Sequence, residues 1–169
     1  KVEKSFLENY ALYRTQPGMP EGMLPMCYPA DHPNGTYIPN WSMWYILELE
    51  QYVGRTGDAT MKAISEEKVQ NLIRFFQKYE NEYGLLENLE GWVFIEWSKC
   101  NAKDYIAGVN YPSNMLWAAA LDATAQLYDD PALAQKAAGM RAAIRELAWN
   151  GEFFEENAVR DESGKLIKT

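Results

Sequence analysis

The chain has 169 residues, enough for one domain with a sizeable core, and its 47% hydrophobic and 24% charged residues are typical of a folded globular protein rather than a disordered one. Its formal net charge of −8 argues against nucleic acid or an anionic membrane surface as a partner, and no apolar run is long enough to span a bilayer. Aromatic residues make up 14% of the chain; most aromatics pack in cores, but they also form flat apolar platforms for ligands.

The first predicted element is a helix over residues 2–13, followed by a long irregular loop. Phe6, Tyr10 and Tyr13 recur at helical spacing, and the helix is expected to end before Pro17. Residues 17–40 contain six prolines and three glycines, which exclude a helix and make a long strand improbable. The same stretch is rich in apolar residues, so we expect a loop that packs against the protein and serves a function.

Two helices are predicted next, separated by a short glycine-containing connection. Asn40 is a candidate N-cap for the first, which is expected to end near residues 54–57, and Asp58 is a candidate cap for the second. An apolar stripe in the second helix is expected to end at Gly84. Residues 92–95, Trp-Val-Phe-Ile, then predict a strand or an extended connection.

The last third of the chain predicts a buried helix, an amphipathic helix and a β-hairpin. Pro112 indicates a helix start, and residues 115–128 are apolar nearly all round. Pro131 opens a helix with a one-sided apolar stripe, expected to end at Gly151. Residues 153–169 predict a hairpin with its turn at residues 161–164.

This order favours a double ring of helices, with buried inner helices covered by one-sided outer ones. A pocket is then expected at the end that carries the long loops. A helical-repeat array predicts a similar alternation, but no motif recurs at a fixed period, so it is the weaker alternative. The predicted fold class is mainly α, with short β-hairpin or extended segments in the loops.

The cysteine and histidine content restricts the chemistry that the chain can perform. Cys27 and Cys100 lie outside any Cys-x-x-Cys spacing and allow one disulfide or none. The single histidine, His32, lies in a loop rich in Pro, Gly and Asn, so neither a histidine-based catalytic triad nor a multi-histidine metal site is expected. We expect His32 at the surface. The sequence therefore predicts no metal and no cofactor. It leaves a periplasmic, secreted or cytoplasmic location open.

Several segments resemble α-L-rhamnosidases of glycoside hydrolase family 78. Residues 37–44 are YIPNWSMW and residues 50–58 are EQYVGRTGD, which is similar to an aromatic segment and following helix of that family. Residues 91–97, GWVFIEW, resemble a later segment in which an acidic residue precedes a pocket tryptophan, and residues 111–127 resemble the Ala- and Leu-rich inner helix after it. The ordered set covers nearly the whole chain.

The resemblance implies a partial (α/α)6 six-hairpin barrel and hydrolysis of terminal L-rhamnose with inversion. It also implies that residues 1–169 are a single fragment of the catalytic domain, with the general acid before Lys1 and the general base after Thr169, so that the chain alone is inactive. Two residues depart from the family pattern. Glu96 stands where Asp is common, and Met43 stands where many members carry Asp.

The candidate substrate-binding residues come from these segments and from the loop after Trp97, with a carbohydrate as the expected partner. They are Trp41, Trp44, Glu96, Trp97 and Asp104. Trp41 and Trp97 are equally suited to sugar stacking and to core packing. Core packing is favoured for Trp44. Glu96 is the best internal candidate for catalysis, although a hydrogen bond to a sugar hydroxyl or to a structural arginine is the favoured role. Asp104 and Asn101, in the loop after Trp97, are candidate hydroxyl partners, with a solvated loop position as the alternative.

Two tryptophans in dense helical stripes, Trp117 and Trp149, are expected in the core.

Two alternative functions stay open: a six-hairpin enzyme that acts on another sugar, and a non-catalytic carbohydrate-binding or helical scaffold. Apolar faces of inner helices without neighbours also predict possible self-association.

Overall fold

The computed structural model describes residues 1–14, 17–29 and 35–168, so His32 lies outside the described residues. The described part is mainly helical with one small sheet, which confirms the predicted fold class. The helices are α1 (Val2–Leu12), α2 (Pro39–Thr56), α3 (Ala59–Gln77), α4 (Lys103–Ile106), α5 (Tyr111–Tyr128) and α6 (Pro131–Ala148), with a 3-10 turn at Lys99–Asn101. The strands are β1 (Val109–Asn110), β2 (Asn157–Arg160) and β3 (Leu166–Lys168).

Two helical hairpins, α2–α3 and α5–α6, form the body of the fold. Gly57 ends α2 in the left-handed region at φ 68°, and the Asp58 carboxylate then accepts the Met61 N–H at 2.9 Å to cap α3. Asp129 ends α5 in the same conformation at φ 54°, and the Asp130 carboxylate caps α6. Because both connections have two residues, each pair folds back on itself. Helix α2 packs against α5, which joins the two hairpins, and α1 packs against α2 and α3.

The core confirms that α5 is buried on most sides. Trp117 is fully buried at its centre and contacts Phe76 of α3, with ring centroids 4.5 Å apart. Met43, Ile46 and Leu49 of α2 are also fully buried. Helix α6 buries one face only, as its one-sided stripe predicts.

Three predicted helix boundaries are wrong. Helix α2 begins at Pro39 with Ile38 as the N-cap. Proline suits the first helical position, because its fixed φ angle is helical and the N–H that it lacks would have no partner within the helix there. Asn40 is therefore inside the helix, where its side chain makes tertiary contacts instead of a cap. Helix α3 ends at Gln77 rather than at Gly84, because the chain turns back and Glu80 pairs with Leu86. Helix α6 ends at Ala148, before Gly151.

The sheet is antiparallel in the order β1-β2-β3. The hairpin of β2 and β3 confirms the prediction for the end of the chain, and Gly164 donates its N–H to the Asp161 carbonyl at 2.9 Å to close the turn. Strand β1, which the sequence analysis did not predict, pairs Val109 with Ala158. Residues 92–95 form an extended connection rather than a strand. Within the described residues no helix is both long and apolar enough to cross a membrane.

Candidate functional site

An apolar cleft of about 490 Å³ opens between α1, the start of α2 and the long loop that joins them. Its lining is dominated by aromatic side chains, proline and methionine. The residues are Phe6, Tyr10, Leu24, Pro25, Met26, Cys27, Tyr28, Pro29, Trp41, Ser42, Trp44, Tyr45 and Glu48. The loop thus packs against the helices and forms one wall of a cavity, as its apolar composition predicted.

The polar groups of the cleft are mostly engaged within the protein. The Ser42 hydroxyl donates to the Met23 sulfur at 3.1 Å, and the Tyr45 hydroxyl donates to Ser65 Oγ at 3.1 Å. Burial raises the pKa of Tyr10 to about 12 and that of Tyr45 to about 12, so both phenols are neutral at ordinary pH. Among the lining residues that the structure describes, Glu48 is the one carboxylate, and it is exposed.

A second aromatic surface adjoins the cleft at Trp41. This surface, which we call the ring cluster, consists of four side chains: Trp41, Trp92, Phe94 and Trp97. The Phe94 ring meets Trp41 edge-on at 6.1 Å between centroids, Trp92 at 5.8 Å and Trp97 at 4.9 Å. Trp97 is 79% exposed and Trp41 is 41% exposed. The two predicted tryptophans are therefore joined through Phe94, and Trp41 belongs to both the ring cluster and the cleft.

Hydrogen bonds to buried asparagines hold this surface in place. Asn40 Oδ1 accepts the Phe94 N–H at 3.1 Å, while Asn40 Nδ2 donates to Ser113 Oγ at 2.9 Å. The Ser113 hydroxyl donates in turn to Asn110 Oδ1 at 2.6 Å, and Asn110 Nδ2 donates to the Tyr105 carbonyl at 3.0 Å. The chain of contacts fixes the extended segment to α2 and α5 without a strand ladder.

A close backbone approach fixes the other end of the segment. Trp92 donates its N–H to the Tyr37 carbonyl at 3.0 Å. Gly91, at φ 87°, lies against the Tyr37 ring so closely that a Cβ there would come within 2.5 Å of it. Only glycine fits this position, because it combines a positive φ with no side chain.

Glu96 lies at the end of the ring cluster with its carboxylate turned back on the chain. Its Oε1 accepts the Trp97 N–H at 2.6 Å. Asn101 closes the loop, because its Oδ1 accepts the Ile95 N–H at 2.7 Å and its Nδ2 donates to the Glu96 carbonyl. Asn101, which the sequence suggested as a hydroxyl partner, is thus used to shape the loop. Glu96 itself is exposed, and its second carboxylate oxygen makes no hydrogen bond with the described residues.

The structure separates Asp104 from the cleft. Asp104 lies in α4 and lines a different cavity, of about 390 Å³, together with Tyr105, Glu155 and Glu156. Its backbone carbonyl accepts a hydrogen bond from Asn157 Nδ2 at 2.8 Å. Asp104 therefore lies outside both the cleft and the ring cluster.

Two of the tryptophans expected in the core are exposed. Trp44 is 52% exposed and lines the cleft, and it lies about one turn from Trp41, which is also exposed and also lines the cleft. Trp149 is 44% exposed, because α6 ends just before it and its ring packs on Phe154 at 5.1 Å. The expectation for Trp117 is confirmed.

Sequence reasoning missed Phe94 and Trp92 as site residues, although their spacing held the signal. In an extended chain alternate side chains share a side, so Trp92 and Phe94 lie on one side and buried Val93 on the other.

The described residues contain no group of three or more His, Cys, Asp or Glu side chains arranged to hold a metal ion. Cys27 and Cys100 are both free thiols.

Comparison with known proteins places this fold. No family model matches the sequence, and no curated protein matches it. Among solved structures, the chain is similar to the GH78 family rhamnosidase of Bacillus sp. GL1, with a TM-score of 0.66 and 21% sequence identity. The match covers 82% of this chain and 15% of that enzyme, so the chain spans a small part of its length. The fold of this chain thus resembles a segment of a family 78 glycoside hydrolase, as the sequence motifs implied.

Proposed function

We propose that the chain is part of the helical catalytic barrel of a glycoside hydrolase, and that its ring cluster binds the terminal L-rhamnose of a glycoside. The observation that carries the proposal is the exposure of Trp97 and Trp41 beside Phe94 on a fold that resembles a segment of a rhamnosidase. Large rings left in water cost free energy unless a ligand covers them. A sugar is suited to cover them, because its C–H groups stack on indole faces while its hydroxyls stay hydrated.

Glu96 is proposed to bind the sugar rather than to transfer its proton. One carboxylate oxygen holds the Trp97 N–H at 2.6 Å and so orients the indole, while the other is available to a sugar hydroxyl. Inverting hydrolysis needs a protonated acid and a second carboxylate about 6.5–9.5 Å apart. We place that pair outside residues 1–169, following the family resemblance, and expect no turnover of an aryl rhamnoside by the isolated chain.

The alternative of another sugar depends on Glu96 alone. Met43, the second departure from the family pattern, is fully buried in the core between α2 and its neighbours. The presence of Met43 where many family members carry aspartate therefore affects packing and not direct contact with a sugar. Glu96 is one methylene longer than the common aspartate and holds the Trp97 N–H beside the ring cluster, so it is the residue that would change the preferred hydroxyl pattern.

The test is a ligand-detected NMR titration of the 169-residue chain with L-rhamnose, using L-fucose and D-mannose as competing sugars. Trp97→Ala is expected to weaken L-rhamnose binding by about 1–3 kcal/mol, because it removes the most exposed ring of the cluster. Trp149→Ala is the matched control, an exposed tryptophan outside the ring cluster. A Trp97→Ala variant with unchanged binding and a lower Tm would return Trp97 to a packing role.

A further inference from the structure

We propose that the cleft between α1, the long loop and α2 binds a small organic cation of the quaternary ammonium class, as a ligand separate from any glycoside. Two features of the lining favour such a ligand over a neutral one: its aromatic rings and its carboxylate. The cleft and the ring cluster share Trp41, but no other member of the ring cluster lines the cleft. The cation site can therefore be tested independently of carbohydrate binding.

The walls of the cleft present aromatic rings from three segments of the chain. Six of the lining side chains are aromatic, and α1, the loop and α2 each contribute at least one: Phe6, Tyr10, Tyr28, Trp41, Trp44 and Tyr45. The Tyr10 ring links the three segments, because its centroid lies 6.2 Å from that of Tyr28 and 5.8 Å from that of Tyr45. The face of such a ring is partly negative and attracts a cation within about 6 Å of its centroid. Several rings around one space are the arrangement with which proteins recognise quaternary ammonium groups.

The described part of the chain supplies no cation of its own to these rings. None of the described lining residues is a lysine or an arginine. Where the chain does place an ammonium group over a ring, that ring lies outside the cleft. Lys62 lies 5.8 Å from the Tyr128 ring centroid, and Lys78 lies 5.6 Å from that of Phe75. The negative ring faces of the cleft are therefore left to a cation from solution.

The carboxylate of Glu48 adds negative charge to the cleft. Glu48 lies about one helical turn beyond Trp44 and Tyr45, so the three side chains share a face of α2. Glu48 is exposed and makes no ion pair or hydrogen bond with the described residues. A carboxylate beside an aromatic wall attracts a cation and repels an anion, and the net charge of −8 acts in the same direction. Charge complementarity therefore favours a cationic ligand.

The hydrogen-bonding groups of the cleft favour a quaternary ammonium over a primary one. The Ser42 hydroxyl already donates to the Met23 sulfur at 3.1 Å, and the Tyr45 hydroxyl donates to Ser65 Oγ at 3.1 Å. A primary ammonium has three N–H donors that lose water on entering a cleft and need acceptors there. A quaternary ammonium has no N–H donor, so its alkyl groups can pack against the rings without this cost.

The dimensions and charge of the cleft suit a free small molecule. The cleft measures about 490 Å³, whereas an apolar cavity of about 150 Å³ is enough to bind benzene. An ammonium group with four alkyl substituents therefore has room to enter. A phospholipid head group would carry a phosphate towards Glu48, and the negative charge of the whole chain also opposes an anionic group. We therefore assign the site to a quaternary ammonium solute rather than to a lipid surface.

The first experiment compares choline with 3,3-dimethyl-1-butanol, which has the same shape but a carbon atom in place of the charged nitrogen. Ligand-detected NMR with the 169-residue chain measures both dissociation constants through the methyl signals of the ligands. We expect choline to bind about 3–30-fold more tightly, the range of one cation–π contact from a partly hydrated to a desolvated site. Equal affinities, or tighter binding of the neutral alcohol, would overturn the assignment to a cation.

Two variants remove the two features separately. Glu48→Gln is expected to weaken choline binding about 2–5-fold and to leave the neutral alcohol unaffected. Glu67→Gln makes the same charge change on α3, outside the cleft lining, and should leave choline binding unchanged. Trp44→Ala is expected to weaken choline binding about 2–30-fold, while Trp149→Ala has no effect. Equal losses in the cleft variants and in their controls would contradict the proposed site.

Cys27 reports whether choline binds in the cleft, because its exposed thiol lies in the lining. In a Cys100→Ser background iodoacetamide alkylates Cys27 alone, and choline should slow this reaction over the concentrations at which NMR detects binding. Binding without protection of Cys27 would overturn the location. Tighter binding of a peptide with a trimethylated lysine than of choline would overturn the assignment to a free small molecule. Choline binding without L-rhamnose binding would support the cation site and contradict the proposed function alone.

Discussion

Asn40 and Phe94, 54 residues apart in sequence, are joined by a hydrogen bond of 3.1 Å from the Phe94 backbone N–H to the Asn40 side-chain oxygen. The bond ties the centre of the ring cluster to the first turn of α2. The Asn40 amide is buried and also donates to Ser113 at the start of α5. One side chain therefore aligns two helices and the extended segment that carries the exposed rings.

Asn40→Ala is expected to destabilise the chain and to loosen the ring cluster. Loss of the amide leaves the Ser113 hydroxyl and the Phe94 N–H without these partners, at a cost of about 1–3 kcal/mol for a buried polar group. Urea denaturation measures the change, and the L-rhamnose titration measures the effect on the site. Asn9→Ala, at an exposed position of α1, is the control. Equal stability of the two variants would show that the Asn40 contacts contribute little.

The tryptophans should divide into one core residue and several surface residues. Trp117→Ala removes a fully buried ring against Phe76 and is expected to cost about 3–5 kcal/mol of unfolding free energy. Trp44→Ala and Trp149→Ala are expected to cost less than about 1 kcal/mol each, because both rings are substantially exposed. Urea denaturation of the three variants is the measurement. A large loss of stability in Trp149→Ala would contradict the exposed position of its ring.

Stability should fall in acid partly through Asp58. Lys4 and the Met61 N–H hold the pKa of the Asp58 carboxyl at about 2, below its usual 3.8. A depressed folded-state pKa stabilises the fold above the unfolded value, and the contribution disappears as the pH falls from about 4 to about 2. Thermal unfolding across this range should show a smaller fall in Tm for Asp58→Asn than for the unaltered chain. Parallel Tm curves would mean that ionisation of Asp58 contributes nothing to stability in this pH range.

The exposed apolar surface should promote association. Four large apolar side chains on the two hairpins and the extended segment are each more than one third exposed: Trp41, Trp44, Trp97 and Met115. Large exposed apolar patches are typical of interaction sites. Light scattering over a range of concentrations should show self-association, or else a hydrophobic dye should bind the monomer. A strictly monomeric chain without dye binding would contradict the prediction.

The sequence predicted those elements that local chemistry determines. The Gly57–Asp58 and Asp129–Asp130 connections and the all-round apolar α5 depend on neighbours in sequence, and each was found where expected apart from small boundary shifts. Trp97 and Trp41 were identified as candidates because their segments resemble a known family. The pattern of the hairpin at the end of the chain was also sufficient to predict it.

What the sequence could not predict depends on tertiary contacts. Asparagine is a common N-cap residue, but the hydrogen-bond partners of Asn40 lie 54 and 73 residues away in sequence, and only the fold brings them together. Trp149 follows a dense apolar stripe, yet the helix ends one residue earlier and leaves the ring at the surface. The cleft is formed by residues from α1, the loop and α2, which no local pattern connects.

The six indole N–H groups offer the most direct test of the sugar site, because each gives a separate signal in a two-dimensional ¹H–¹⁵N NMR spectrum. Titration with L-rhamnose should shift the indole signals of Trp41, Trp92 and Trp97 together. The signals of buried Trp117 and of Trp149, which is not part of the ring cluster, should stay fixed. A titration in which the three ring-cluster signals do not move, or in which only Trp149 responds, would contradict the assignment of this surface to carbohydrate.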